Sequence, residues 1–310
     1  MSTHDIDLTI VISNYNTKEL LKKNLASIFR LRTKITFEII VVDDCSQDNS
    51  IKMVRAGFPQ VITIRNRANL GYSKSYNIGT RKAKGRYILH LNSDIIFPHD
   101  AQLDSLLGYM DVHRKIGILG CKIIKMDGKL DLPCKRAFPG LLNIFFQTIG
   151  LAFLFSKNKI FGNYYLTFLD EDKIHEIDCV MGAFMLIRRK VIHTIGFLDE
   201  NFFIYGEDID YCYRAKQNNW KIIYYPHLKV QHHHGATTKK AKIRPIWLFH
   251  LAMFLYYKKH LSKKRFFVVS YLVYGAIFFR FISVLLLNLF KKIIPSLVLT
   301  HGERISCFII

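Results

Sequence analysis

The sequence predicts an α/β fold built on a mostly parallel central sheet, and three observations indicate it. Over the first 125 residues, short apolar runs alternate with amphipathic stretches, which is typical of repeated strand–helix–strand units. Polar residues directly follow several of these runs, where a parallel sheet presents its ligand-binding edge. Near the C-terminus, an apolar segment of 25 residues stands apart from this pattern and predicts a helical appendage.

Five strands are expected in the first part, because each is a short apolar run bounded by polar residues. They are Leu8 to Ser13, Phe37 to Val42, Val61 to Arg65, Arg86 to Leu91 and Ile116 to Ile124. Apolar residues at helical spacing predict a helix after Thr17, which would be its N-cap. A second helix is expected over Ser73 to Lys84.

The later part of the chain is less regular. Residues 138–168 are rich in Phe and Leu and interrupted by glycine, and we interpret them as an insertion. Strands are expected again over Cys179 to Arg188 and over Lys221 to Tyr225. Gly182, inside the first of these, marks a place where a backbone or a ligand can approach closely.

Composition and charge narrow the classes of function. With 310 residues, half of them hydrophobic, the chain can bury a sizeable core and is no disordered tail. Residues 226–310 carry 14 Lys and Arg against one acid, and therefore +13 of the net charge of +21. Such a surface attracts nucleic acid, nucleotide phosphates or an anionic membrane leaflet. Nucleic acid is the weakest of the three, because the C-terminal cations flank an apolar segment instead of alternating with base-stacking aromatics.

The cysteines and the N-terminus favour a reducing, cytoplasmic compartment with mostly buried thiols. The N-terminal residues MSTHDIDLT lack the basic and apolar regions of a signal peptide. No CxxC pair and no metal-finger spacing occurs among the six cysteines. They are Cys45, Cys121, Cys134, Cys179, Cys212 and Cys307.

The apolar segment Phe266 to Phe290 would extend about 37 Å as a helix, which is enough to cross a bilayer. Its one charge, Arg280, is costly at bilayer depth unless the side chain snorkels or pairs. Basic residues flank both ends, and the positive-inside rule would place both flanks in the cytoplasm. These flanks are Lys258, Lys259, Lys263, Lys264 and Arg265 before the segment, and Lys291 and Lys292 after it. A re-entrant hairpin or an interfacial helix is therefore favoured over a simple span.

Amide and acidic side chains follow three of the predicted strands. They are Asn14 and Asn16 after the first, Asp43 and Asp44 after the second, and Asn92 and Asp94 after the fourth. Asp43 and Asp44 fit a role in turn formation and capping, which their spacing alone favours, or a role in accepting the imide N–H of uracil or thymine. Asp94 is compatible with two roles to an equal degree. It could be a turn aspartate, or a carboxylate that holds Mg²⁺ or Mn²⁺ against a diphosphate.

Three acids stand at the start of a predicted helix, where they complement the helix dipole. Asp210 and Arg214 are four residues apart and are expected to pair on one helix face. Asp208 differs from Glu207 and Asp210, because aromatic residues and a glycine lead into it. A partly dry cleft at a helix N-terminus would keep this carboxylate ionised, as a general base must be.

Two further motifs have weaker signals. The run His232, His233 and His234 would be split between the two faces of a strand, and such a run is more often a surface feature than a ligand set. Near Asp94 and a diphosphate, one of the three becomes a candidate metal ligand. A turn with positive φ is expected at Gly71, before a helix. The chain has neither GxGxxG nor a Walker motif, which argues against a site that binds NAD(P) or ATP.

Taken in order, these segments resemble the family 2 glycosyltransferases with a GT-A fold, and most closely their rhamnosyltransferase-like branch. The resemblance covers about residues 6–240. It rests on VVDDCSQDNS (41–50), NLGYSKSYNIG (69–79), GRYILHLNSD (85–94), CVMGAFMLIRRKVI (179–192), GFLDENFFIYGEDIDYCYR (196–214) and HHHGATT (232–238). It implies a Rossmann-like, mostly parallel sheet with helices on both faces.

The same resemblance implies roles for individual residues. Asp43 or Asp44 would contact the nucleotide base, and Asp94, last of a DxD-like triplet, would hold Mg²⁺ or Mn²⁺ on the donor diphosphate. Glu207 and Asp208, the two acids of the family's Glu-Asp motif, would be the catalytic residues, and Asp208, the second of them, would deprotonate an acceptor hydroxyl in an inverting transfer. His232, in a pattern like HxxGxS, would contact the metal or the diphosphate. The other predicted donor contacts are Asn14, Asn16, Gly71, Asn92 and Gly182.

This chain departs from the family pattern at three positions. The DxD-like triplet begins with Asn92, so a first carboxylate is missing there. Thr237 replaces a serine and keeps the hydroxyl, and His234 adds a third histidine, which leaves the choice of ligand within the run open.

The predicted protein therefore has a catalytic domain over residues 1–245 and a basic, apolar, membrane-associating segment over 246–310. We expect it to transfer a sugar, with dTDP-rhamnose as the model donor, to a lipid-linked saccharide at the cytoplasmic membrane face in polysaccharide biosynthesis. A sugar-phosphate nucleotidylyltransferase is a second interpretation, although such enzymes usually have a Gly-rich loop where this chain has SNYNTKE. A non-catalytic, membrane-bound nucleotide-sugar-binding protein is a third.

Overall fold

A computed structural model describes residues 6–148, 150–233 and 243–293 of the chain. These residues fall into two compact units. The first, which we call the catalytic unit, contains the described residues up to Glu200 and those from Asp208 to His233. The second, the C-terminal unit, combines Asn201–Glu207 with residues 243–293.

Within the described residues of the catalytic unit, nine strands form one mixed sheet in the order β3-β2-β1-β4-β10-β6-β11-β5, with β8 pairing to β11. Two further strands, β7 and β9, pair with each other. The strands are β1 Leu8–Asn14, β2 Phe37–Asp43, β3 Ile62–Arg65, β4 Tyr87–Asn92, β5 Ile95–Ile96, β6 Ile116–Lys125, β7 Lys135–Arg136, β8 His175–Glu176, β9 Cys179–Val180, β10 Phe184–Arg188 and β11 Lys221–His232.

The parallel part of the sheet consists of β3, β2, β1 and β4 and confirms the predicted strand–helix alternation. Every residue from Leu8 to Ile12 is buried, because both faces of β1 are covered. In the register, Asn14 lies beside Asp43 and Ser13 beside Asn92. The polar residues predicted to follow these strands therefore share one edge of the sheet.

Eight helices belong to the described part of the catalytic unit, apart from the first residue of α8, which is Glu207. They are α1 Lys18–Phe29, α2 Ser50–Gly57, α3 Tyr72–Lys82, α4 Leu103–Val112, α5 Leu141–Thr148, α6 Leu151–Leu154, α7 Arg189–Ile195 and α8 Glu207–Gln217. Thr17 occupies the N-cap position of α1 as predicted, but its hydroxyl makes no capping bond. It donates instead to Asn14 Oδ1 at 2.7 Å, within the group of polar residues at the strand ends.

Two strand predictions were wrong in their extent. The segment Cys179 to Arg188 is not one strand: it breaks into β9 and β10, and Gly182 lies in the turn between them, where the Phe184 N–H bonds to the carbonyl oxygen of Met181. The strand expected to end at Tyr225 continues to His232 as β11. Pro226 can donate no ladder bond, and the register with β6 shifts between Tyr225 and Lys229 to accommodate it.

The insertion at residues 138–168 contains the short helices α5 and α6. Its large apolar side chains are partly exposed, with Leu142, Phe153 and Leu154 each more than 60% accessible. Neither helix is long enough to cross a bilayer.

The C-terminal unit contains a pair of helices, α9 Arg244–Tyr256 and α10 Phe267–Ile293, joined by a turn of π-helix over Tyr257–Leu261 and a 3₁₀ turn over Ser262–Lys264. Among the described residues, one helix is long and apolar enough to cross a membrane, over Phe267–Asn288 of α10. The apolar segment found in the sequence therefore is helical, as predicted.

Candidate functional site

The carboxyl ends of β1 and β2 are joined by a buried polar group. Asn14 Nδ2 donates to Asp43 Oδ1 at 2.8 Å and to Ser46 Oγ at 3.1 Å. The backbone N–H of Ser46 in turn donates to Asp43 Oδ2. Asn16, at φ 54°, is exposed and holds the next turn of chain, since its Oδ1 accepts the backbone N–H of Gln47 at 2.8 Å. Of these predicted donor contacts, Asn16 is therefore the one that faces solvent.

Asp44 fixes the loop that precedes α3. Its Oδ1 accepts the backbone N–H of Leu70 and the side-chain amide of Asn66, and its Oδ2 accepts the N–H of Gly71, each at 2.8 Å. Gly71 has φ 85°, so the predicted positive φ is confirmed. The carboxylates of Asp43 and Asp44 are both buried and differ in what they hold: Asp43 joins two strand ends, and Asp44 positions the loop at residues 66–71.

An open cavity of about 530 Å³ reaches Asp43. It lies along α2 and includes three basic side chains, Lys52, Arg55 and Arg65. Asp94 and Asp208 do not line it. The cavity therefore lies on the β2–β3 side of the strand ends.

Asp94 and His232, the two predicted metal ligands, come together where β5 pairs with the end of β11. The carboxylate Oδ1 of Asp94 lies 3.3 Å from His232 Nε2, and the other ring nitrogen, Nδ1, lies 2.9 Å from Asp131 Oδ2. β5 pairs with the end of β11 and brings the two segments side by side. Burial disfavours a charged ring, but hydrogen bonds to the carboxylates of Asp131 and Asp94 outweigh it and raise the pKa of His232 to about 9.

Of the two histidines of the run that the structure describes, His232 is the one whose ring reaches Asp94. His233 contributes its backbone N–H, which donates to the carbonyl oxygen of Asp94 at 2.9 Å. His234 and Thr237 lie outside the described residues. Across the described ranges, no group of three or more His, Cys, Asp or Glu side chains is arranged to hold a metal ion. Among the described residues, Asp94 and His232 are therefore the pair that could hold a metal ion, with other ligands completing its coordination.

Asp208 is held in a buried ion pair at the start of α8. Its Oδ2 lies 2.6 Å from Arg136 Nη2 and accepts the backbone N–H of Gly182 at 3.0 Å. Its Oδ1 accepts the N–H of Ile209 at 2.8 Å. Burial by itself lowers the pKa of Arg136, but the neighbouring charge of Asp208 raises it well above the ordinary value. The Arg136 guanidinium therefore keeps its positive charge beside Asp208.

The turn at residues 181–183 connects Asp208 to the end of β4. Gly182 bonds to Asp208 through its N–H, and its carbonyl oxygen accepts from Tyr72 Oη at 2.6 Å. The carbonyl oxygen of Ala183 accepts the N–H of Asn92 at 3.0 Å. A Cβ at Gly182 would lie 2.8 Å from Tyr72 Oη, so the predicted close approach is made by a neighbouring side chain.

The other acids of α8 have separate surroundings. Asp210 pairs with Arg214 at 2.9 Å, which confirms the expected i,i+4 pair. Glu207 is buried and belongs to the C-terminal unit, although it is adjacent to Asp208 in the chain. In that unit, burial followed by the charge of Glu207 raises the pKa of Tyr205.

Sequence reasoning missed Asp131, Arg136 and Tyr72. Asp131 lies in the irregular stretch after β6, Arg136 ends the two-residue strand β7, and Tyr72 is the first residue of α3. Nothing in the spacing of Arg136 and Asp208, which are 72 residues apart, indicates that they pair. Lys135 and Arg136 are both buried, which cations tolerate only when they are paired or hydrogen-bonded, but this burial is visible in the structure and not in the sequence.

The mixed sheet, with amides and acids on one edge and a buried carboxylate at the start of α8, defines a glycosyltransferase with a GT-A fold. The chain belongs to glycosyl transferase family 2, whose family model matches residues 9–196. The fold and family that the motifs predicted are both confirmed.

Two curated relatives illustrate the family. The chain is 28% identical over 222 residues to the low-salt glycan biosynthesis hexosyltransferase Agl10 of Haloferax volcanii, covering 70% of this chain and 64% of that protein. It is 25% identical over 242 residues to the N-acetylglucosaminyl-diphospho-decaprenol L-rhamnosyltransferase of Mycobacterium tuberculosis, covering 74% of this chain and 77% of that protein. The chain thus spans slightly less than two thirds of the archaeal relative.

Two solved structures share the fold. One is TarS 1-349 of S. aureus in complex with UDP, with a TM-score of 0.52 and 15% identity, covering 80% of this chain and 64% of that chain. The other is the mannosyltransferase PcManGT of Pyrobaculum calidifontis in complex with GDP-Man and Mn²⁺, with a TM-score of 0.54 and 16% identity, covering 82% of this chain and 67% of that chain.

Proposed function

We propose that the protein is an inverting glycosyltransferase that moves a sugar, with rhamnose as the first candidate, from a nucleoside diphosphate to a hydroxyl of a lipid-linked saccharide in cell-surface polysaccharide synthesis. The observation that carries the proposal is the turn at residues 181–183, which binds Asp208 on one side and Asn92 on the other. A candidate base is thereby tied to the strand end that would receive the donor. The name of the Mycobacterium tuberculosis relative supports both the lipid-linked acceptor and the sugar.

The donor would lie along the carboxyl ends of β1, β2 and β4. Asn14, Asp43 and Asp44 shape this edge for the nucleoside, Gly71 and Asn92 flank it, and Asn16 is exposed beside it. The charge of a diphosphate is compatible with the site only if cations neutralise it.

A divalent cation fits the pair of Asp94 and His232. An oxygen and an imidazole nitrogen 3.3 Å apart can bind the same ion after a small adjustment, and phosphate oxygens and water would complete its coordination. Mg²⁺ and Mn²⁺ both accept such a mixed set, and Mn²⁺ accepts the imidazole more readily. When bound, the ion stabilises the negative charge that develops on the leaving diphosphate. The neighbouring Asp131 orients the His232 ring through Nδ1.

Asp208 is the group we assign to proton removal. Its Oδ2 is committed to Arg136 and Gly182, whereas Oδ1 accepts a single backbone N–H and keeps capacity for a proton. The acceptor hydroxyl would give its proton to this oxygen as its own oxygen bonds to the anomeric carbon. The bond from that carbon to the diphosphate breaks on the opposite side, and the configuration inverts.

The C-terminal unit provides the contact with the membrane that carries the acceptor. Residues 243–293 contain nine Lys and Arg and no Asp or Glu, and α10 presents large apolar side chains. Such a surface binds an anionic leaflet by burial of apolar groups and by electrostatic attraction. We place the enzyme on the cytoplasmic face, where nucleotide sugars are made.

The assignment of Asp208 is tested by Asp208→Asn in the full-length enzyme. Transfer should fall by about 10²- to 10⁴-fold, because general-base assistance is lost. Binding of the nucleoside diphosphate with Mn²⁺, measured by calorimetry over a panel of nucleotide sugars, should remain. Asp178→Asn is the matched control, since Asp178 also pairs with a cation, Lys216, but is partly exposed and belongs to no predicted site. Near wild-type transfer by Asp208→Asn would show that the base is another group.

A further inference from the structure

Helix α10 has two different faces. One face is apolar and exposed to solvent, and six of its side chains are each 53% to 73% exposed. They are Phe267, Val268, Tyr271, Leu272, Phe278 and Phe279. Leu286 continues the same face toward the end of the helix and is 48% exposed. A soluble protein rarely leaves so long an apolar surface uncovered.

The opposite face of α10 packs against α9. The rings of Trp247 and Phe281 lie 5.6 Å apart, and those of Phe254 and Tyr274 lie 5.0 Å apart. Residue numbers rise along α9 as they fall along α10, so the two helices are antiparallel. α9 and α10 therefore form a helical hairpin, and the position of one helix relative to a membrane also determines the position of the other.

Arg280, the charge in the middle of the apolar segment, belongs to the packed face. Its Nη1 donates to His250 Nε2 at 2.9 Å, and His250 Nδ1 donates to the carbonyl oxygen of Ile246 at 2.7 Å. The guanidinium carbon also lies 5.4 Å from the centre of the Phe249 ring. Burial, assisted by the charge of Arg280, lowers the pKa of His250 and keeps the ring a neutral acceptor. The hairpin thus stabilises this charge without help from lipid headgroups.

α9 is anchored along its length to the segment Asn201–Glu207. The rings of Tyr205 and Phe249 lie 5.8 Å apart, and Arg244 lies over the ring of Phe203 at 4.9 Å. A Cβ at Gly206 would lie 3.2 Å from that of Ala252. This segment continues at both ends, without a linker, into the polar residues Glu200 and Asp208 of the catalytic unit. Any position of α9 within the hydrocarbon would therefore also draw in this segment and its acid, Glu207.

We propose that α10 lies in the plane of an anionic phospholipid leaflet, with its exposed face in the acyl layer and Arg280 turned away from the lipid toward His250. The proposal rests on the membrane contact of the proposed function and specifies its geometry. A spanning α10 would draw α9, only about 20 Å long, and its attached segment into the hydrocarbon. It would also carry across the bilayer either the five cations of the turn at residues 258–265 or Lys291 and Lys292. The in-plane position leaves all of them at the headgroups.

Depth measurements on single tryptophans test this geometry. Val268→Trp, Phe279→Trp and Leu286→Trp are made one at a time in the full-length chain, with Trp220 and Trp247 changed to Phe. The first and last lie 18 residues apart, which is five turns and about 27 Å along the helix. In vesicles of phosphatidylcholine and phosphatidylglycerol containing brominated lipids, all three should be quenched at one common depth of about 5 to 10 Å below the headgroups. Phe281→Trp, on the face packed against α9, is the control and should be quenched least.

Two results would overturn the proposal. If the residue at position 279 lies deeper than those at 268 and 286, α10 spans the bilayer. A second contrary result has three parts: vesicles quench none of the three tryptophans, sedimentation shows a dimer, and Phe279→Ser dissociates that dimer. The exposed face would then be an interface between two copies of the chain. Neither result bears on the reaction, which is judged by donor binding and by Asp208→Asn, so the two proposals fail separately.

Discussion

At the residue scale, the ion pair of Arg136 and Asp208 sets the properties of the candidate base. Both side chains are about nine-tenths buried, and their closest atoms are 2.6 Å apart. Removing one member of such a pair leaves a desolvated charge, which costs more than the pair itself contributes. Arg136 is therefore expected to matter for folding as well as for the orientation of Asp208.

A double-mutant cycle measures this coupling. Arg136→Gln should lower the free energy of unfolding by about 3 to 5 kcal/mol, because the Asp208 carboxylate stays buried without its cation. Adding Asp208→Asn should cost much less than its effect in the wild-type background, with a coupling of about 0.5 to 3 kcal/mol in urea unfolding. Arg214→Gln is the control: it breaks the pair with Asp210 and lowers stability, but transfer at low temperature should persist. Additive costs would refute the coupling.

His232 makes the stability of the metal-free protein depend on pH. Its pKa of about 9 in the folded chain exceeds the ordinary value of 6.5, so the folded state binds the proton more tightly. This stabilising contribution is fully present below the pKa that His232 has in the unfolded chain. It is lost as the pH rises through the pKa that His232 has in the folded chain. In chelator, the free energy of unfolding should fall by about 3 kcal/mol over this range. In urea titrations of His232→Gln, the free energy of unfolding should stay constant over this pH range. If it falls as steeply as in the wild type, another group causes the pH dependence.

The sequence identifies residues whose role depends on position along the chain. Gly71 is at its predicted positive φ because turns follow from local pattern. The meeting of Asp94 with His232 is a long-range contact, which the family resemblance implied and local pattern does not show. Asp131 and Arg136 could not be found in this way. Their roles come from contacts with residues 101 and 72 positions away, in a stretch without regular periodicity.

At the element scale, α3 is the helix that places the Gly71 loop against the sheet. It approaches β1 and β2 closely at Gly79, where a Cβ would lie 2.4 Å from Val11 Cγ1 and 3.1 Å from Val42 Cγ2. Both valines are fully buried. The small residue sets the distance between this helix and the strands that end at the site.

Two helical glycines give a matched test of that contact. Gly79→Ala should destabilise the protein by about 1 to 3 kcal/mol, because the added methyl overpacks the core. Gly108→Ala, in α4, has nothing within 4 Å of the new Cβ and should stabilise the helix by about 0.5 to 1 kcal/mol. Urea unfolding of the two variants checks both signs. A neutral Gly79→Ala would mean that α3 shifts freely on the sheet.

Pattern reading located the central strands but omitted α2 and α4. The buried residues of α4 are Leu103, Leu106, Leu107 and Met110, a helical spacing that the sequence did display. α2 is only eight residues long and gave a weaker signal. The break between β9 and β10 has a different origin, since it depends on Tyr72 and Asp208 filling the space beside Gly182, which no local pattern records.

At the scale of the whole molecule, charge and apolar surface are distributed unequally. The described C-terminal residues 243–293 carry cations and no acid, whereas the candidate site in the catalytic unit contains paired and bonded carboxylates. Much of the surplus of positive charge therefore lies outside the candidate site.

Changing the turn of the hairpin tests this division. Replacing Lys258, Lys259, Lys263, Lys264 and Arg265 by Gln should reduce partition into anionic vesicles by at least about 10²-fold, since each cation near the surface contributes about 1 kcal/mol. Binding of the wild-type chain should weaken as salt is added. The control changes the same number of exposed cations in the catalytic unit, namely Lys22, Lys23, Arg32, Lys34 and Lys82. An equal loss in both variants would indicate attraction to the whole molecule instead of to the hairpin.

The two faces of α10 also have a practical consequence. Because Arg280, Phe281 and Tyr274 all lie on the packed face, polar substitutions confined to the open face leave every contact within the hairpin in place. A full-length chain altered only there should stay dissolved without detergent and keep its catalytic unit intact. Sugar transfer to a water-soluble saccharide could then be measured without a membrane. This would separate the rate of the transfer step from the rate at which the enzyme encounters a membrane-bound acceptor.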